Sequence, residues 1–180
     1  LSKGIADMLI TDLSKVKGVN IVEREKLEKL IQEIKLGQSK YFDPATAQKL
    51  GKGLGAQNIL TGSFYFLDNT LRIDARLIDV QTGGIILAEQ VTGNKNSFFA
   101  LHQQLATLLS KNLNVPYNPD LSGLYRSNEE VELTAVVNYS NAIELQDQGM
   151  TADAEVLLEK TITTYPKFNF AKNKLDELKE

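Results

Sequence analysis

Residues 58–93 read NILTGSFYFLDNTLRIDARLIDVQTGGIILAEQVTG and form the longest β-rich tract of the chain. The middle of the tract alternates between apolar and charged side chains. The apolar set is Leu71, Ile73, Ala75 and Leu77, and the charged set is Arg72, Asp74 and Arg76. This alternation is typical of an antiparallel strand with one face on the core and the other in solvent. The tract therefore predicts a three-stranded meander, with either a bulge near Ile78 or a doubly buried strand end where the alternation slips.

Two short reversals join the three predicted strands. Asp68-Asn69 makes the first, because both residue types tolerate the positive φ that a two-residue hairpin needs. The second covers residues 79–84, where the Asp79 carboxylate can accept bonds from backbone amides and Gly83 or Gly84 can take the left-handed conformation. In the first of the three predicted strands, Gly62 indicates a bend or a close backbone approach.

The composition is that of a globular protein with one or two domains. Of 180 residues, 42% are hydrophobic and 24% are charged, and the absence of Cys excludes disulfides, thiolate metal sites and a Cys nucleophile. No apolar run approaches the ~20 residues of a transmembrane helix. Residues 1–113 hold 14 basic and 11 acidic residues, against 6 and 12 in residues 114–180. Neither part is basic enough to indicate nucleic-acid binding, and the asymmetry favours two units.

Helical periodicity surrounds the β-rich tract. The predicted elements are helices over residues 2–16, 23–38 and 97–113, a short strand at 19–22, and a helix that starts at Asp43-Pro44. The glycine cluster at 51–55 follows a helix and lacks the order of a phosphate-binding loop, so it is interpreted as the end of that helix. His102 flanks an apolar helix stripe with no evident nucleophile or metal partner, which favours a packing role.

Residues 114–180 contain a predicted linker and helices but no predicted strand. Residues 114–127 contain two prolines and a glycine and predict a linker, and Ser127 with Glu130 fits a capping box. Residues 136–169 resemble one tetratricopeptide unit, a helical pair of about 34 residues. The matching positions are Ala142 and Ala154 where the helices touch, Gly149 at the turn and Pro166 at the end. A further helix from Phe168 is expected to cap this unit.

Residues 1–113 resemble the CsgG family, whose founding member is the curli secretion channel of the bacterial outer membrane. The resemblance lies in four segments and in the turn signature Asp79-x-x-Thr82-Gly83, which also occurs in the related TolB-amino-terminal-like domains. The segments are LSKGIADMLITDL (1–13), VEREKLEKLIQE (22–33), GAQNILTGSFY (55–65) and RLIDVQTGGIILAEQ (76–90).

The resemblance implies a curli-type assembly or secretion role in the periplasm, envelope proteins as partners, and a homo-oligomer. Two features depart from the family. The family begins with a buried strand, whereas this chain opens on a helix at Leu1, so that strand was cut away or lies outside this sequence. An anchor to the outer membrane, if the protein has one, is expected in the same missing N-terminal part. The secretion channel also inserts long hairpins into the membrane. The two reversals here leave no room for spanning strands of ~9–11 residues, so we expect that this chain does not itself form the pore.

The sequence thus predicts an α/β domain at 1–113, with a mixed sheet containing the antiparallel meander and flanked by helices. A linker at 114–127 and a small all-α tetratricopeptide-like domain at 128–180 follow. The predicted function is a non-catalytic envelope accessory that binds proteins, with no catalytic, cofactor or metal residue. Two alternatives stay open: a subunit of an outer-membrane secretion channel whose membrane segments lie outside this chain, and a regulatory ligand-binding adaptor. If the protein were an enzyme, its candidate catalytic groups would be scattered carboxylates, hydroxyls and His102, which no spacing in the sequence brings together.

Overall fold

The computed structural model describes residues 1–33, 44–113, 115 and 131–179. A β-meander lies between helices on both sides of it in the chain. The helices are α1 (Ser2–Leu13), α2 (Arg24–Glu33), α3 (Pro44–Leu54), α4 (Phe98–Asn112), α5 (Leu133–Asp147), α6 (Thr151–Thr164) and α7 (Asn169–Lys179). The strands are β1 (Asn58–Leu67), β2 (Thr70–Asp79) and β3 (Ile85–Asn94).

The sheet has the order β1-β2-β3, with both neighbouring pairs antiparallel. Leu67 pairs with Thr70, which closes the predicted two-residue turn, and Asp68 in that turn has φ +52. The register between β2 and β3 shifts at Leu77/Ile78, where the sequence predicts a bulge or a doubly buried strand end, and both side chains are buried. The meander and the class of the fold, a three-stranded antiparallel sheet combined with helices, are therefore as the sequence predicts.

The two faces of the sheet are covered by different helices. On one face, Ile73 and Val91 belong to the main core, to which α4 contributes Leu101, Leu105 and neighbouring apolar residues. On the other face, a smaller cluster sits at the end of the sheet where β1 begins. It joins Ala47 and Leu50 of α3 to Ile59, Ile78 and Val80. The glycines of α3 permit this packing, since a Cβ on Gly51 would collide with the Val80 side chain.

Some predicted boundaries are wrong. No strand forms at residues 19–22, which are irregular; a strand needs a neighbour to bond with, and no described strand lies beside them. The sheet is consequently antiparallel throughout the described residues, without the parallel component of a mixed sheet. Helix α1 ends at Leu13 rather than Val16, and turns follow up to Gly18 at φ +92. Residues 34–43, the Ser127–Glu130 capping box and the predicted linker apart from Val115 lie outside the described residues.

The main core runs from the sheet through α1 and α4 to α5, α6 and α7. Helices α1 and α5 approach each other closely at Gly4, where an added Cβ would lie 3.1 Å from the Ser140 Cβ. The Gly4 N–H also donates to the Ser140 hydroxyl at 3.1 Å. The division into domains 1–113 and 128–180 stays a prediction, but the described residues of the two parts share one hydrophobic core.

Candidate protein-interaction site

The family signature residues build the turn between β2 and β3. Asp79 Oδ1 accepts from the Thr82 N–H at 2.6 Å and from the Thr82 hydroxyl at 2.7 Å. Gly83 has φ +73, and its N–H donates to the Asp79 carbonyl at 2.9 Å. The bonds from Thr82 lower the pKa of Asp79 below its ordinary value. These geometries account for an acid, a hydroxyl and a glycine at the three positions without any ligand.

Gly62 lies where the backbones of β1 and β2 come close. A Cβ at this position would be 2.7 Å from the Asp74 carbonyl oxygen, which a side chain cannot tolerate without a backbone shift. The close approach expected from the sequence is therefore present. It leaves a gap in the row of side chains along β1, between Leu60 and Phe64.

The residues assigned to the helical repeat lie on α5, α6 and the connections around them. Ala142 on α5 and Ala154 on α6 are fully buried, and these two helices pack against each other. Gly149 takes φ +78 in the turn that joins them, and Pro166 is exposed after α6. This placement fits one helical pair, while its identification as a tetratricopeptide unit stays a prediction.

His102 on α4 is completely buried against α1. Its Nε2 lies 3.4 Å from the Ile5 carbonyl oxygen, and its Nδ1 lies 3.6 Å from Asp12 Oδ2. Burial lowers the pKa of His102 from 6.5 to about 4, so the ring is neutral at pH 7. The side chain therefore joins two helices in the core and has no access to a substrate in solvent.

A set of charged and hydroxyl side chains that was not predicted from the sequence joins α1, α2, α5 and α7, and we call it the junction cluster. Its members are Lys3, Asp7, Arg24, Tyr139, Asp147 and Lys174. The sequence signal that could have revealed it is Asp7, a carboxylate next to the apolar stripe of α1.

Asp7 and Asp147 are the two anionic centres of the junction cluster. The Tyr139 hydroxyl donates to Asp7, and Arg24 Nε and Lys174 Nζ lie 3.7 and 3.5 Å from its Oδ1. Asp147 accepts from Arg24 at 2.6 Å and from Lys3 at 2.5 Å. Burial raises the pKa of Tyr139 well above its ordinary value, and the charge on Asp7 adds to the effect. The carboxylates are thus engaged by cations of the same chain.

Exposed apolar side chains concentrate at the end of β1, in three consecutive residues that we call the β1 tip. They are Tyr65, Phe66 and Leu67, with 50%, 43% and 68% of their surface accessible. Arg72 on β2 lies over the Tyr65 ring, 5.6 Å from its centroid, and its Nη2 is 2.5 Å from Asp74 Oδ1. Exposed aromatic and aliphatic residues rimmed by polar groups are typical of protein-binding surfaces.

Metal binding and membrane crossing are two further properties that bear on function. Within residues 1–33, 44–113, 115 and 131–179, no three acidic or His side chains come together in a way that could hold a metal ion. Among the helices of those ranges, none combines the length and apolar character that crossing a membrane requires.

Comparison with known proteins gives a family match over part of the chain. Residues 1–72 match the family model described as "Curli production assembly/transport component CsgG". This match supports the resemblance to that family from α1 to the start of β2. It ends before Asp79, so the turn signature is not tested by it.

Two individual proteins also show similarity. A protein of Rhizobium meliloti (strain 1021) named "Putative adenylate cyclase 3" is 30% identical over 114 residues, which are 62% of this chain and 17% of that protein. The chain therefore spans a small part of this relative's length. The "LpoB C-terminal domain from Salmonella enterica" shows 26% identity and a TM-score of 0.36, over 41% of this chain and 55% of that domain.

Proposed function

We propose that this chain is a non-catalytic accessory of protein assembly or secretion in the bacterial envelope, and that it acts by binding other proteins. The observation that carries the proposal is the match of residues 1–72 to the curli assembly and transport family. The β1 tip supports it, because exposed aromatic residues beside a sheet edge suit protein contact better than catalysis. The family's transport role favours the periplasmic side of the outer membrane.

The chemistry of the buried polar groups favours binding over catalysis. A general acid or base must reach a substrate proton, directly or through one water. His102 is enclosed between α4 and α1, and Asp7 and Asp147 face cations inside the junction cluster. These groups stabilise the contact between helices, and we assign no reaction to them.

Deletion of the gene in its native bacterium tests this function. We expect the amount of one or more surface or secreted proteins to fall, and complementation with the intact gene to restore it. Quantitative proteomics of the culture medium and the outer surface is the readout. Unchanged surface and secreted proteomes in the deletion strain would contradict the proposal.

Within the described meander, we expect neither reversal to form a pore, in contrast to the hairpins of the family's secretion channel. The β1–β2 reversal is two residues long, and the β2–β3 reversal runs from Val80 to Gly84. Purified protein is therefore expected to leave dye-loaded liposomes intact. Dye release that rises with protein concentration would favour the channel-subunit alternative.

A regulatory adaptor is the second candidate, and the similarity to the Rhizobium protein favours it. The matched 114 residues make up 17% of that relative, so a module of this kind also occurs inside a larger protein named for a cyclase. An adaptor that senses a small ligand would gain thermal stability from it. A rise in Tm with ATP or cyclic AMP would support the adaptor, whereas the envelope accessory is expected to show none.

A further inference from the structure

The α/β part of the chain (residues 1–113) and the helical part (residues 131–179) meet mainly along one pair of helices. Helix α1 lies against α5, and the two come closest at Gly4, where an added Cβ would lie 3.1 Å from the Ser140 Cβ. The Gly4 N–H donates to the Ser140 hydroxyl, so the backbone of one part is bonded to a side chain of the other. Inside the helical part, α5 packs on α6 and α6 packs on α7. The contact thus joins two sets of elements, each with its own internal packing.

Three aromatic rings lie at the centre of this contact. Phe99 of the α/β part meets Phe168 of the helical part edge-on, with 5.9 Å between the ring centroids, and Phe168 meets Tyr139 at 5.6 Å. All three side chains are buried. Large aromatic side chains in the desolvated centre of an interface are prominent among the residues that carry the binding energy between two proteins. The three rings are therefore the expected anchors of the contact.

Charged side chains surround the aromatic centre and pair across the two parts. Lys3 on α1 lies 2.8 Å from Glu144 and 2.5 Å from Asp147, both on α5. Arg24 on α2 contacts the same Asp147 at 2.6 Å. Lys3 and Glu144 keep part of their side chains in solvent, as residues at the rim of an interface do. An apolar centre inside a charged rim is the anatomy of an interface between two proteins, and interfaces between domains of one chain resemble it.

The contact residues of α1 lie on one side of that helix, and two helices of the helical part reach them. Gly4 and Asp7 are three positions apart, and they bond to the neighbouring Ser140 and Tyr139 of α5. Asp7 is also approached from α7, because Lys174 Nζ lies 3.5 Å from its Oδ1. A helix that is recognised in a groove presents its contact residues at this spacing. Helix α1 thus lies against α5 and α7 as a bound helix lies in a groove.

We propose that the α1 face, made of Gly4, Asp7 and the adjacent Phe99, is a protein-binding surface for a helical hairpin with aromatic anchors. The helical part of this chain occupies the surface as a separately folded module. The rings supply the buried area, and the bonds that Gly4 and Asp7 make fix the position of the module. The surface therefore accepts the helical part of a second copy as well as that of its own chain. This assignment goes beyond the proposed function: its failure would leave the envelope role untouched.

Exchange of the helical part between copies tests the proposal. A protease site inserted between residues 116 and 130 is cut after the full chain has folded, and nitrogen-15-labelled and unlabelled cut proteins are then mixed. Native mass spectrometry is expected to show mixed complexes, and the circular dichroism of the intact chain is expected to be retained. Complexes that stay intact but never mix, or pieces that unfold after the cut, would overturn the proposal, because either result means a single folding unit.

Single substitutions test which groups carry the recognition. Tyr139→Phe removes the hydroxyl that donates to Asp7 and keeps the ring, so the dissociation constant of the two pieces is expected to rise at least about tenfold, equivalent to 1.4 kcal/mol. Asp7→Asn is also expected to weaken binding, and the double variant is expected to cost less than the two changes combined, because both alter the same bond. Asp176→Asn, at an exposed position of α7, is the matched control and is expected to leave the constant unchanged. Equal dissociation constants for the Tyr139→Phe and Asp176→Asn proteins would overturn the proposal.

Discussion

At the scale of single residues, Asp7 has the most consequential environment in the described part of the chain. A hydroxyl from α5 and cations from α2 and α7 converge on its carboxylate, which is buried on α1. Burial lowers the pKa of Lys174, but the charges on Asp7 and Glu177 outweigh it and leave that pKa above its ordinary value. The amine is thus charged inside the protein and depends on its acidic neighbours. Removing one partner of a buried ionic group costs about 3–5 kcal/mol, because the other charge stays buried without compensation.

Asp7→Asn is expected to lower the free energy of unfolding by about 3 kcal/mol, the lower end of that range, because Glu177 and Asp147 still compensate part of the charge on Lys174 and Arg24. Urea unfolding followed by circular dichroism measures the change. Asp153→Asn, at an exposed position in the first turn of α6, is the matched control and should lower stability by no more than about 1 kcal/mol, the usual contribution of a carboxylate at a helix N-terminus. Equal effects of the two substitutions would show that the junction cluster adds no stability.

His102 makes stability depend on pH. Its pKa is about 4 in the folded protein and near 6.5 when exposed, so the unfolded chain takes up the proton first as pH falls. The contribution of the neutral ring to the free energy of unfolding is therefore fully present above pH 6.5. It is lost as the pH falls from 6.5 to 4, by about 3 kcal/mol in total. His102→Gln should remove this part of the pH dependence, as measured by urea unfolding at a series of pH values. A constant difference between the two proteins from pH 7 to pH 4 would contradict the assignment.

At the scale of elements, local signals predicted the meander, while tertiary context decided the elements that were mispredicted. The alternation in β2 and the turn residues Asp68 and Gly83 determine the structure of neighbouring residues only, so the sequence pattern was enough to predict the strand and the two turns. The pattern at residues 19–22 is equally apolar, but a strand forms only beside another strand. The end of α1 at Leu13 was missed because Val16, which is buried, continues the helical stripe beyond the last helical residue.

Gly62→Ala tests the close contact between β1 and β2. The added Cβ would lie 2.7 Å from the Asp74 carbonyl oxygen, and backbone cannot move aside as a flexible side chain can. We expect a loss of about 1–3 kcal/mol in unfolding free energy, the usual range for a forced backbone shift. Ser63→Ala, at the next and exposed position, should be near neutral. A stability equal to that of the unchanged chain would mean that this glycine is not required for strand pairing.

At the scale of the whole molecule, the sequence predicted the separate elements of the chain better than the way in which they pack together. The asymmetry of charge and the prolines after residue 113 favoured two units, and the described residues on either side share a core. The junction cluster joins residues more than 100 positions apart, such as Arg24 with Asp147 and Asp7 with Tyr139. No local pattern encodes such a pairing. The helical part thus packs directly on α1, and the sheet edge at β1 is left on the opposite side of the meander from β3.

In-cell cross-linking of the native protein, followed by mass spectrometry of its adducts, tests the envelope-binding role most directly. Markers of the cytosol and the periplasm serve as controls for where each adduct formed. The account predicts adducts between this chain and proteins of the periplasm or outer membrane. Adducts formed with cytosolic proteins alone would contradict it.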